Sequence, residues 1–343
     1  MERRTLGRTG ISVSELALGT MMFGSIANAD HDDSARIINT AIDAGINLID
    51  TADIYSLGES EEIVGEAIKG RRDELVIATK FGLPMGDEPS HRGGSRRWII
   101  RAIDDSLRRL GIDHIDLYQM HRPDHSVDID ETLSALSDLV RAGKIRAIGS
   151  STFAADAIVE SQWASEKHGH ERFMTEQPMY SILTRRLEGA VLPTAQRYGM
   201  GVLSYSPLNS GWLSGRADLT ASLRASRSPS RFDPESERNR AKSQAVRELT
   251  ALADECGLTM PQLAIGFVNS HPVISSVIIG PRTMQQLEGL VAAAGVRLTG
   301  EVLDRIDEIV TPGTDVDAAD NFASEHPALI DKTLRRRTSS STS

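Results

Sequence analysis

The side chains in this sequence that could carry out chemistry stand at the ends of short apolar runs. Asp50, Lys80 and His121 each follow such a run, and Tyr55 lies on the segment after Asp50. A nearby ammonium favours a phenolate and lowers the phenol pKa, while a carboxylate can keep that ammonium charged. Asp50, Lys80 and Tyr55 therefore predict a tuned proton donor, and His121 adds a hydrogen bond to a substrate oxygen. This set suits proton transfer to a carbonyl oxygen while a hydride reaches the carbon.

The apolar runs that carry these residues alternate with segments of helical periodicity. Four of the helical segments end at a glycine, the usual helix stop: Gly45, Gly70, Gly111 and Gly143. Strands that alternate with helices in this way pair in parallel. The eight predicted strands span residues 15–18, 46–49, 75–78, 115–119, 145–148, 173–176, 201–204 and 276–279.

Parallel pairing allows either a closed eight-stranded barrel or an open doubly wound sheet. An open nucleotide-binding sheet normally shows G-x-G-x-x-G after its first strand, and this sequence has no such motif there. We therefore predict an α/β fold, a (β/α)8 TIM barrel with an N-terminal β-hairpin and a long loop between strands 7 and 8. Residues 3–6 and 11–13 flank Gly7-Arg-Thr-Gly10 and are expected to form the hairpin.

Two segments interrupt the alternation of strands and helices. Residues 208–243 are rich in Ser, Arg and Asp, and a loop of this length inside a domain is usually functional or mobile. The sequence after Pro312 loses helical periodicity and finishes in a run of arginine, serine and threonine. We expect one barrel domain over residues 1–311 and a C-terminal tail over residues 312–343 that is disordered at its end.

A barrel brings the C-terminal ends of its strands together on one face, and that face carries the active site. Alone, Asp50, Lys80 or His121 could be a turn residue, a solvated lysine or a structural histidine. Their joint position at strand ends favours a shared site. Asp53 has no role that the sequence indicates and is expected to be a turn residue. The other groups that follow strands are Gly19-Thr20, Ser151-Thr152, Gln177, Tyr205-Ser206 and Gly280-Pro281-Arg282.

Composition limits the classes of protein to which the chain can belong. An apolar content of 40% with 25% charged residues is ordinary for a soluble globular protein, and the net charge of −10 argues against nucleic-acid binding. The single cysteine, Cys256, excludes an internal disulfide and a multi-cysteine metal site, and its helical context predicts a small buried side chain. No stretch has the apolar character of a signal peptide or membrane span. We expect a cytoplasmic protein with neither a membrane segment nor a bound metal.

A set of short motifs at the strand ends is specific when its members are taken together. The motifs are Asp50-Thr-Ala-Asp-Ile-Tyr55, Thr79-Lys80, His121-Arg-Pro, Gly149-Ser-Ser151, Glu176-Gln177-Pro, Tyr205-Ser-Pro-Leu208 and Gly280-Pro-Arg282. On these motifs the chain resembles the aldo-keto reductase superfamily, from the hairpin to about residue 310. The resemblance implies a (β/α)8 barrel that binds a nicotinamide cofactor without a Rossmann domain and reduces small-molecule aldehydes or ketones. NADPH is the implied cofactor, with NADH as the alternative.

The resemblance also implies roles for individual residues. Asp50, Tyr55, Lys80 and His121 match the family's catalytic tetrad, in which Tyr55 is the general acid in reduction and the general base in oxidation. Loops at the strand ends form the substrate pocket in such barrels. The apolar wall of that pocket is expected to come from Met22, Phe23, Phe81 and Trp212. Neither the carbonyl compound nor the oligomeric state is indicated by the sequence.

For the cofactor, the resemblance implies contacts from several strand ends. Ser151 and Gln177 match residues that hold the nicotinamide carboxamide, and Tyr205 would stack on the nicotinamide ring. Arg282 matches the region around the adenosine 2′-phosphate, for which arginine is well suited, and Arg231 is a second candidate. The full set of implied cofactor contacts is Gly19, Thr20, Ser151, Thr152, Gln177, Tyr205, Ser206, Pro207, Leu208, Gly211, Arg231, Gly280, Arg282 and Gln286.

Two positions depart from the family pattern. Thr152 stands where many members have asparagine, which alters the second contact to the carboxamide. Gly289 and Leu290 replace the Glu-Asn pair that contacts adenine in many members. This replacement predicts weaker anchoring of adenine and a less strict preference for NADPH.

Two other functions fit parts of the sequence. A regulatory subunit resembling the potassium-channel beta subunits would share the barrel and the tetrad, and would bind cofactor and a partner. A Schiff-base aldolase could use Lys80, since such lysines also stand at barrel strand ends. The aldolase leaves Tyr205-Ser-Pro-Leu208 and Gly280-Pro-Arg282 unexplained, so a carbonyl reductase is the leading prediction.

Overall fold

The computed structural model describes residues 1–216, 226, 229–233, 235–320 and 331–336. A short antiparallel hairpin, β1 (Arg3–Thr5) and β2 (Ser12–Ser14), precedes a closed barrel of eight parallel strands. The barrel strands are β3 (Leu16–Gly19), β4 (Leu48–Asp50), β5 (Val76–Phe81), β6 (Ile115–Met120), β7 (Ile145–Ser151), β8 (Phe173–Gln177), β9 (Gly201–Ser204) and β10 (Ile274–Ile279). Each strand pairs with the next in chain order, and β10 closes the barrel on β3. The predicted (β/α)8 barrel is confirmed.

Helices alternate with the strands and cover the outside of the barrel. In the first helix the apolar residues that share one face are buried, as the helical spacing predicted. Side chains cap several helix starts, as with Asp30 and Ser95. None of the described helices is long and apolar enough to span a membrane. The helices are α1 (His31–Asp43), α2 (Glu59–Ala67), α3 (Arg96–Leu110), α4 (Ile129–Arg141), α5 (Ala155–His168), α6 (Val191–Tyr198), α7 (Pro229–Phe232), α8 (Arg240–Glu255), α9 (Met260–Ser270), α10 (Met284–Val291) and α11 (Gly300–Ile309).

Alternation of side chains along each strand separates the barrel interior from the layer beneath the helices. Leu48, Ala78 and Leu117 belong to a small inner cluster, whereas Phe81 and Tyr118 pack in the larger core outside the barrel. The inward-facing rows become polar at the C-terminal ends of the strands. Those polar inward positions are occupied by Asp50, Lys80 and Gln119.

The hairpin closes the opposite end of the barrel. Leu6 packs in the inner cluster, directly before the hairpin turn. Gly7 has a φ of +55°, and a Cβ atom there would lie 2.4 Å from the backbone nitrogen of Gly201 at the start of β9. The turn therefore requires glycine, both for its backbone conformation and for its close approach to β9.

The segment after α11 returns across the loop that follows β8. Asp315 forms an isolated bridge with Thr184, and the Val316 N–H donates to the Leu183 carbonyl oxygen at 3.0 Å. The first part of the predicted tail is thus ordered, whereas its predicted disordered end, residues 337–343, lies outside the described residues. The domain boundary at residue 311 stays a prediction.

The expectation that Cys256 is buried was wrong. Cys256 is exposed and forms the C-cap of α8, directly after the last helical residue. The apolar periodicity that suggested burial ends within the helix, so a cap residue does not share the buried face.

Candidate active site

Asp50, Lys80 and Tyr55 meet at the C-terminal end of the barrel. Lys80 Nζ lies 2.6 Å from Asp50 Oδ2, 2.8 Å from the Thr51 carbonyl oxygen and 3.2 Å from Tyr55 Oη. The side chains of Lys80 and Asp50 are both buried. A buried ion pair whose cation contacts a phenol hydroxyl can stabilise negative charge on that oxygen.

A second set of contacts orients the carboxylate of Asp50. Gln177 Nε2 donates to Asp50 Oδ1 at 2.8 Å, and Gln119 Nε2 lies 3.3 Å from the same oxygen. Gln177 Nε2 is also 3.2 Å from Gln119 Oε1, which joins the two amides. Both carboxylate oxygens therefore have buried donors, one set from Lys80 and one from the glutamines. Sequence reasoning did not select Gln119, although Gln119 precedes His121 by two residues on an inward-facing row.

Burial and charge act in opposite directions on the two proton-carrying groups. Burial disfavours the ammonium of Lys80, but the charges and hydrogen bonds of Asp50 and Tyr55 outweigh it and raise the Lys80 pKa. Burial raises the pKa of Tyr55, and the charge of Lys80 opposes this change without reversing it. The expected lowering of the Tyr55 pKa was therefore wrong for the protein alone. The raised pKa means that Tyr55 is a neutral phenol at pH 7.

His121 lies beside Tyr55 at the same end of the barrel. The two rings meet edge to face, with centroids 5.9 Å apart and planes at 80°. Burial lowers the pKa of His121 well below its ordinary value, and the charges of Lys80 and Arg122 act in the same direction. The imidazole is therefore neutral at pH 7 and can donate one N–H to a substrate oxygen.

Thr152 connects the predicted nicotinamide contacts in one polar network. The Thr152 N–H donates to the Gln177 carbonyl oxygen at 3.1 Å, and Ser151 Oγ donates to the same oxygen at 2.9 Å. Thr152 Oγ1 accepts a hydrogen bond from Arg122 Nη1 at 3.0 Å and lies 3.4 Å from Tyr205 Oη. The ends of β7, β8 and β9 are thereby joined beside the tetrad.

Backbone strain is concentrated around these strand ends. Two of the strained residues directly follow Tyr55, and the others lie on the segments after β7 and β9 that were predicted to bind cofactor. Left-handed backbone at non-glycine residues costs about 1–3 kcal/mol each and clusters at ligand-binding sites. The strained residues thus lie on the face of the barrel that carries the candidate site. The described non-glycine residues with positive φ are Ser56, Leu57, Thr152, Ser206, Asn209 and Ser210.

The two arginines predicted to face a phosphate have different surroundings. Arg231 Nη2 lies 3.0 Å from Asp320 Oδ1, so this guanidinium already has an anionic partner. The guanidinium of Arg282 makes no ion pair with any described residue. Gln286 Oε1 accepts the Arg282 backbone N–H at 2.8 Å, and Asn28 Nδ2 donates to the Arg282 carbonyl oxygen at 3.1 Å. Arg282 is the better placed of the two for an incoming anion, and Gln286 supports its loop.

The predicted cofactor glycines differ in the space around them. A Cβ atom at Gly19 would lie 2.7 Å from Ile278 Cγ2, so Gly19 permits close packing within the barrel. A Cβ atom at Gly211 or Gly280 would meet no other residue within 4 Å. Gly211 and Gly280 therefore border open space that a ligand could occupy, and Gly19 does not.

The remaining predicted cofactor contacts are divided between the interior and the rim. Thr20 is buried, and its Oγ1 accepts a hydrogen bond from Ser60 Oγ at 2.9 Å, which joins the end of β3 to α2. After β9, Pro207 is buried while Ser206 and Leu208 are half-buried. Ser206 and Leu208 are thus accessible at the rim of the barrel, and the Thr20 side chain supports the structure beneath it.

Most of the residues expected to form the substrate-pocket wall are core residues instead. Phe23 and Phe81 are fully buried outside the barrel, and Trp212 is 1% exposed. Phe81 and Trp212 each stack on another buried aromatic ring. Side chains alternate along β5, so the inward position of Lys80 sends Phe81 toward the helices. Met22 is half-buried and remains a candidate for the pocket wall.

Asp53 is buried rather than part of a surface turn. The residue is 1% exposed, and neither carboxyl oxygen has a hydrogen-bond partner among the described residues. Burial raises the Asp53 pKa well above its ordinary value, and the negative charge of Glu61 acts in the same direction. Glu61 is itself buried and paired with Arg109 at 2.7 Å. The last residue of β4 therefore places one carboxyl, that of Asp50, beside a lysine, and the segment after β4 places a second, that of Asp53, in surroundings that favour its neutral form.

Glu176 supports the network from the neighbouring position on β8. Its carboxyl oxygens accept hydrogen bonds from Ser150 Oγ at 2.5 Å and from the Phe153 N–H at 3.1 Å. Burial raises the pKa of Glu176 to about 7. Glu176 thereby holds the end of β7 and the start of the segment after it, where Ser151 and Thr152 lie. In the sequence it was visible only as part of a motif with Gln177.

Comparison with known proteins identifies the family. The model of the Aldo/keto reductase family matches residues 15–311. The chain belongs to the aldo/keto reductase family. An uncharacterized oxidoreductase of Bacillus subtilis, YrpG, is 39% identical over 334 residues, which cover 94% of this chain and 100% of that protein.

Two further relatives of this aldo/keto reductase carry different names. A probable voltage-gated potassium channel subunit beta of Arabidopsis thaliana is 34% identical over 324 residues, covering 90% of this chain and 97% of that protein. A versiconal hemiacetal acetate reductase of Aspergillus parasiticus is 34% identical over 342 residues, covering 91% of this chain and 98% of that protein. Oxidoreductases and a channel subunit are thus similar to this chain over nearly its full length.

Aldo/keto reductases generally use NAD(P)H, and the residues at this face fit such a group. The half-buried ring of Tyr205 offers an aromatic surface at the end of β9. Gly211 and Gly280 border open space. Arg282 supplies a cation without an ion-pair partner in the part of the chain that the structure describes. An aromatic surface, open space and an arginine are features that fit a nicotinamide dinucleotide.

Proposed function

We propose that this aldo/keto reductase reduces small aldehydes or ketones with NADPH, and that Tyr55 is the proton donor. The contact of Lys80 Nζ with both Asp50 Oδ2 and Tyr55 Oη carries the proposal. A buried ammonium at 3.2 Å stabilises the phenolate that remains when Tyr55 has released its proton. Asp50 keeps the ammonium in place and acts as a positioning residue.

The proposed residues account for every proton in the reaction. When bound, the reduced nicotinamide supplies a hydride to the carbonyl carbon. The O–H bond of Tyr55 breaks as its proton moves to the carbonyl oxygen, which becomes the hydroxyl of an alcohol. The Tyr55 phenolate stays paired with Lys80 and regains a proton from water before the next turnover. His121 is neutral, so its N–H can orient the carbonyl oxygen without competing as an acid.

Replacement of Tyr55 by phenylalanine removes only the proposed acid. We expect Tyr55→Phe to lower kcat/KM for carbonyl reduction by about 10²–10⁴-fold, the usual contribution of a general acid. NADPH absorbance, followed with a panel of aldehydes and ketones, measures the effect, and fluorescence titration checks that NADPH still binds. Tyr198→Phe on α6 is the matched control and should leave kcat/KM unchanged. Full turnover by Tyr55→Phe would remove Tyr55 from the mechanism.

Arg282 supports the choice of NADPH over NADH. An arginine that makes no ion pair with the described residues can hold the 2′-phosphate, a contact worth about 10–100-fold in binding. Arg282→Ala is therefore expected to raise KM for NADPH by that factor and to leave KM for NADH nearly unchanged. Arg231→Ala is the matched control, since Arg231 is paired with Asp320. Equal or better turnover of the unmodified chain with NADH would argue against the NADPH assignment.

A cofactor-binding regulatory subunit is the second candidate function. The observation that favours it is the similarity to a probable voltage-gated potassium channel subunit beta over 90% of this chain. In that role the chain would bind NADPH and a partner protein, and turnover would be secondary. Binding of NADPH without turnover of any carbonyl in the panel would favour the regulatory role over the reductase.

A further inference from the structure

Two histidines and an aspartate form a compact group outside the active site. Asp130 lies in the first turn of α4, His168 is the last residue of α5, and His170 precedes β8. One oxygen and two nitrogens of these side chains all lie within 4.8 Å of one another. His170 Nε2 is 3.0 Å from Asp130 Oδ1, and His168 Nδ1 contacts the same oxygen.

The local fold brings the two imidazoles to one point. Gly169 is the C-cap of α5 and has a φ of +70°, so the chain turns between the histidines in a conformation that favours glycine. The two rings are tilted by 66° with centroids 5.9 Å apart, so both can direct a nitrogen at Asp130. The Glu171 N–H donates to Ser137 Oγ on α4 at 2.8 Å, which ties the segment after α5 to α4.

We propose that Asp130, His168 and His170 bind a zinc ion, which links α4 to the end of α5. Imidazole nitrogens and a carboxylate oxygen are common zinc ligands, and a water molecule would complete the tetrahedron. Ligand atoms in such a site lie about 3.3 Å apart. The three candidate atoms already lie within 4.8 Å of one another, so small side-chain rotations can bring them to that spacing. The side chains of Asp130 and His168 are 40% and 38% exposed, so water can reach the fourth position.

An ordinary ion pair is the competing account of this group. Within the described residues, the ionic partners of Asp130 are the two histidines, with no lysine or arginine among them. An ion pair needs a protonated imidazole, whereas a zinc site uses the lone pairs of neutral imidazoles. Zinc binding therefore distinguishes the two accounts directly.

Zinc titration of the full-length, tag-free chain tests the proposal. After treatment with a chelator and its removal, calorimetric titration with zinc chloride should give one zinc ion per chain. The double variant His168→Ala/His170→Ala should bind zinc at least about 10–100-fold more weakly, since loss of a supporting group alone has an effect of that size. Zinc should also raise the unfolding temperature of the unmodified chain and not that of the double variant.

Two single variants make the result specific. Asp130→Asn keeps the shape of the side chain but removes the anionic ligand, and should also weaken zinc binding. His114→Ala removes a different histidine, which contacts Asp113, and should bind zinc as the unmodified chain does. The proposal is overturned if the unmodified chain binds no zinc, or if the double variant or Asp130→Asn binds zinc equally well. Among the described residues, no hydrogen bond or ion pair joins this group to the tetrad, so the test is independent of the proposed reductase.

Discussion

Two buried lysine–aspartate pairs in this protein have nearly the same geometry. Lys80 Nζ lies 2.6 Å from Asp50 Oδ2 inside the barrel, and Lys242 Nζ lies 2.5 Å from Asp320 Oδ2 between α8 and the C-terminal segment. Each ammonium is also 5.0 Å from the centroid of an aromatic ring. Burial, charge pairing and an aromatic neighbour are therefore present in both regions and do not by themselves identify a catalytic site.

The aromatic neighbour separates the two regions. Beside Lys80 the ring belongs to Tyr55, whose hydroxyl is 3.2 Å from the ammonium and can release a proton. Beside Lys242 the ring belongs to Trp212, which is fully buried and has no acidic proton. Arg231 shares Asp320 with Lys242, so the second group ties α7, α8 and the C-terminal segment together. The two regions thus differ in the neighbour of the ammonium, which is an ionisable phenol beside Lys80 and an indole beside Lys242.

Replacing each lysine by methionine separates stability from chemistry and has the largest expected effect. Loss of Lys80 leaves the buried Asp50 carboxylate without a cation, so Lys80→Met should lower the free energy of unfolding by about 3–5 kcal/mol. Lys242→Met should lower it by less, because Arg231 still pairs with Asp320 at 3.0 Å. Lys80→Met should also lower kcat/KM for carbonyl reduction by about 10²–10⁴-fold, because the Tyr55 phenolate loses its cation. Denaturant unfolding and steady-state kinetics measure the two quantities. Equal loss of activity per folded molecule in the two variants would contradict the distinction.

Glu176 extends the comparison to a buried carboxyl that has no lysine partner among the described residues. Burial raises its pKa from 4.5 to about 7. A raised carboxyl pKa means that the folded state favours the protonated form. The resulting stability is fully present below the unfolded pKa and is lost as the pH rises through the folded pKa. The loss between pH 4.5 and about 7 corresponds to about 3 kcal/mol.

Glu176→Gln is neutral at every pH and should remove this dependence. Urea unfolding below pH 4.5 and above pH 7 measures the pH dependence of the free energy of unfolding. Above pH 7 we expect this free energy to be up to about 3 kcal/mol higher in the variant than in the unmodified chain. Glu15→Gln is the matched control, because Glu15 is buried and pairs with Arg297 at 3.1 Å. That variant should lose stability instead. A parallel pH profile for Glu176→Gln and the unmodified chain would show that Glu176 does not titrate in this range.

The sequence could predict one lysine pair and not the other. Asp50 and Lys80 end neighbouring strands of a repeating alternation, so the barrel topology alone brings their side chains together. Lys242 and Asp320 are 78 residues apart on a helix and on a segment without periodicity. No repeat relates their positions, and their contact depends on how the C-terminal segment packs against α8.

Burial of single side chains was harder to predict than the fold. The outward position of Phe81 follows from strand alternation once Lys80 is known to face inward, so that signal was present in the sequence. The burial of Asp53 depends on the packing of α2 and α3, where Glu61 pairs with Arg109. Spacing along the chain does not define such contacts. The raised pKa of Tyr55 has the same origin, because the amount of desolvation is set by packing.

The smallest predicted effect concerns the backbone beside the tetrad. The described parts of α8 and of the segment that carries Asp320 have no non-glycine residue at positive φ, whereas Thr152 has a φ of +60°. A β-branched side chain is strained in this region, while asparagine adopts it several times more often than most residues. The strain of such a residue is of order 1–3 kcal/mol. Thr152 is therefore a position where a substitution beside the tetrad should stabilise the protein.

Thr152→Asn is expected to raise the free energy of unfolding by about 1 kcal/mol, measured by urea unfolding. The asparagine side-chain oxygen can replace Thr152 Oγ1 as the acceptor for Arg122 Nη1, which now lies at 3.0 Å. Thr152→Ala has no such acceptor and gains none of asparagine's tolerance of positive φ, so it should not stabilise the protein. If asparagine destabilised the chain as much as alanine does, the contacts of Thr152 with Arg122 and Tyr205 would outweigh the backbone strain. The threonine would then be held in place by its side-chain contacts.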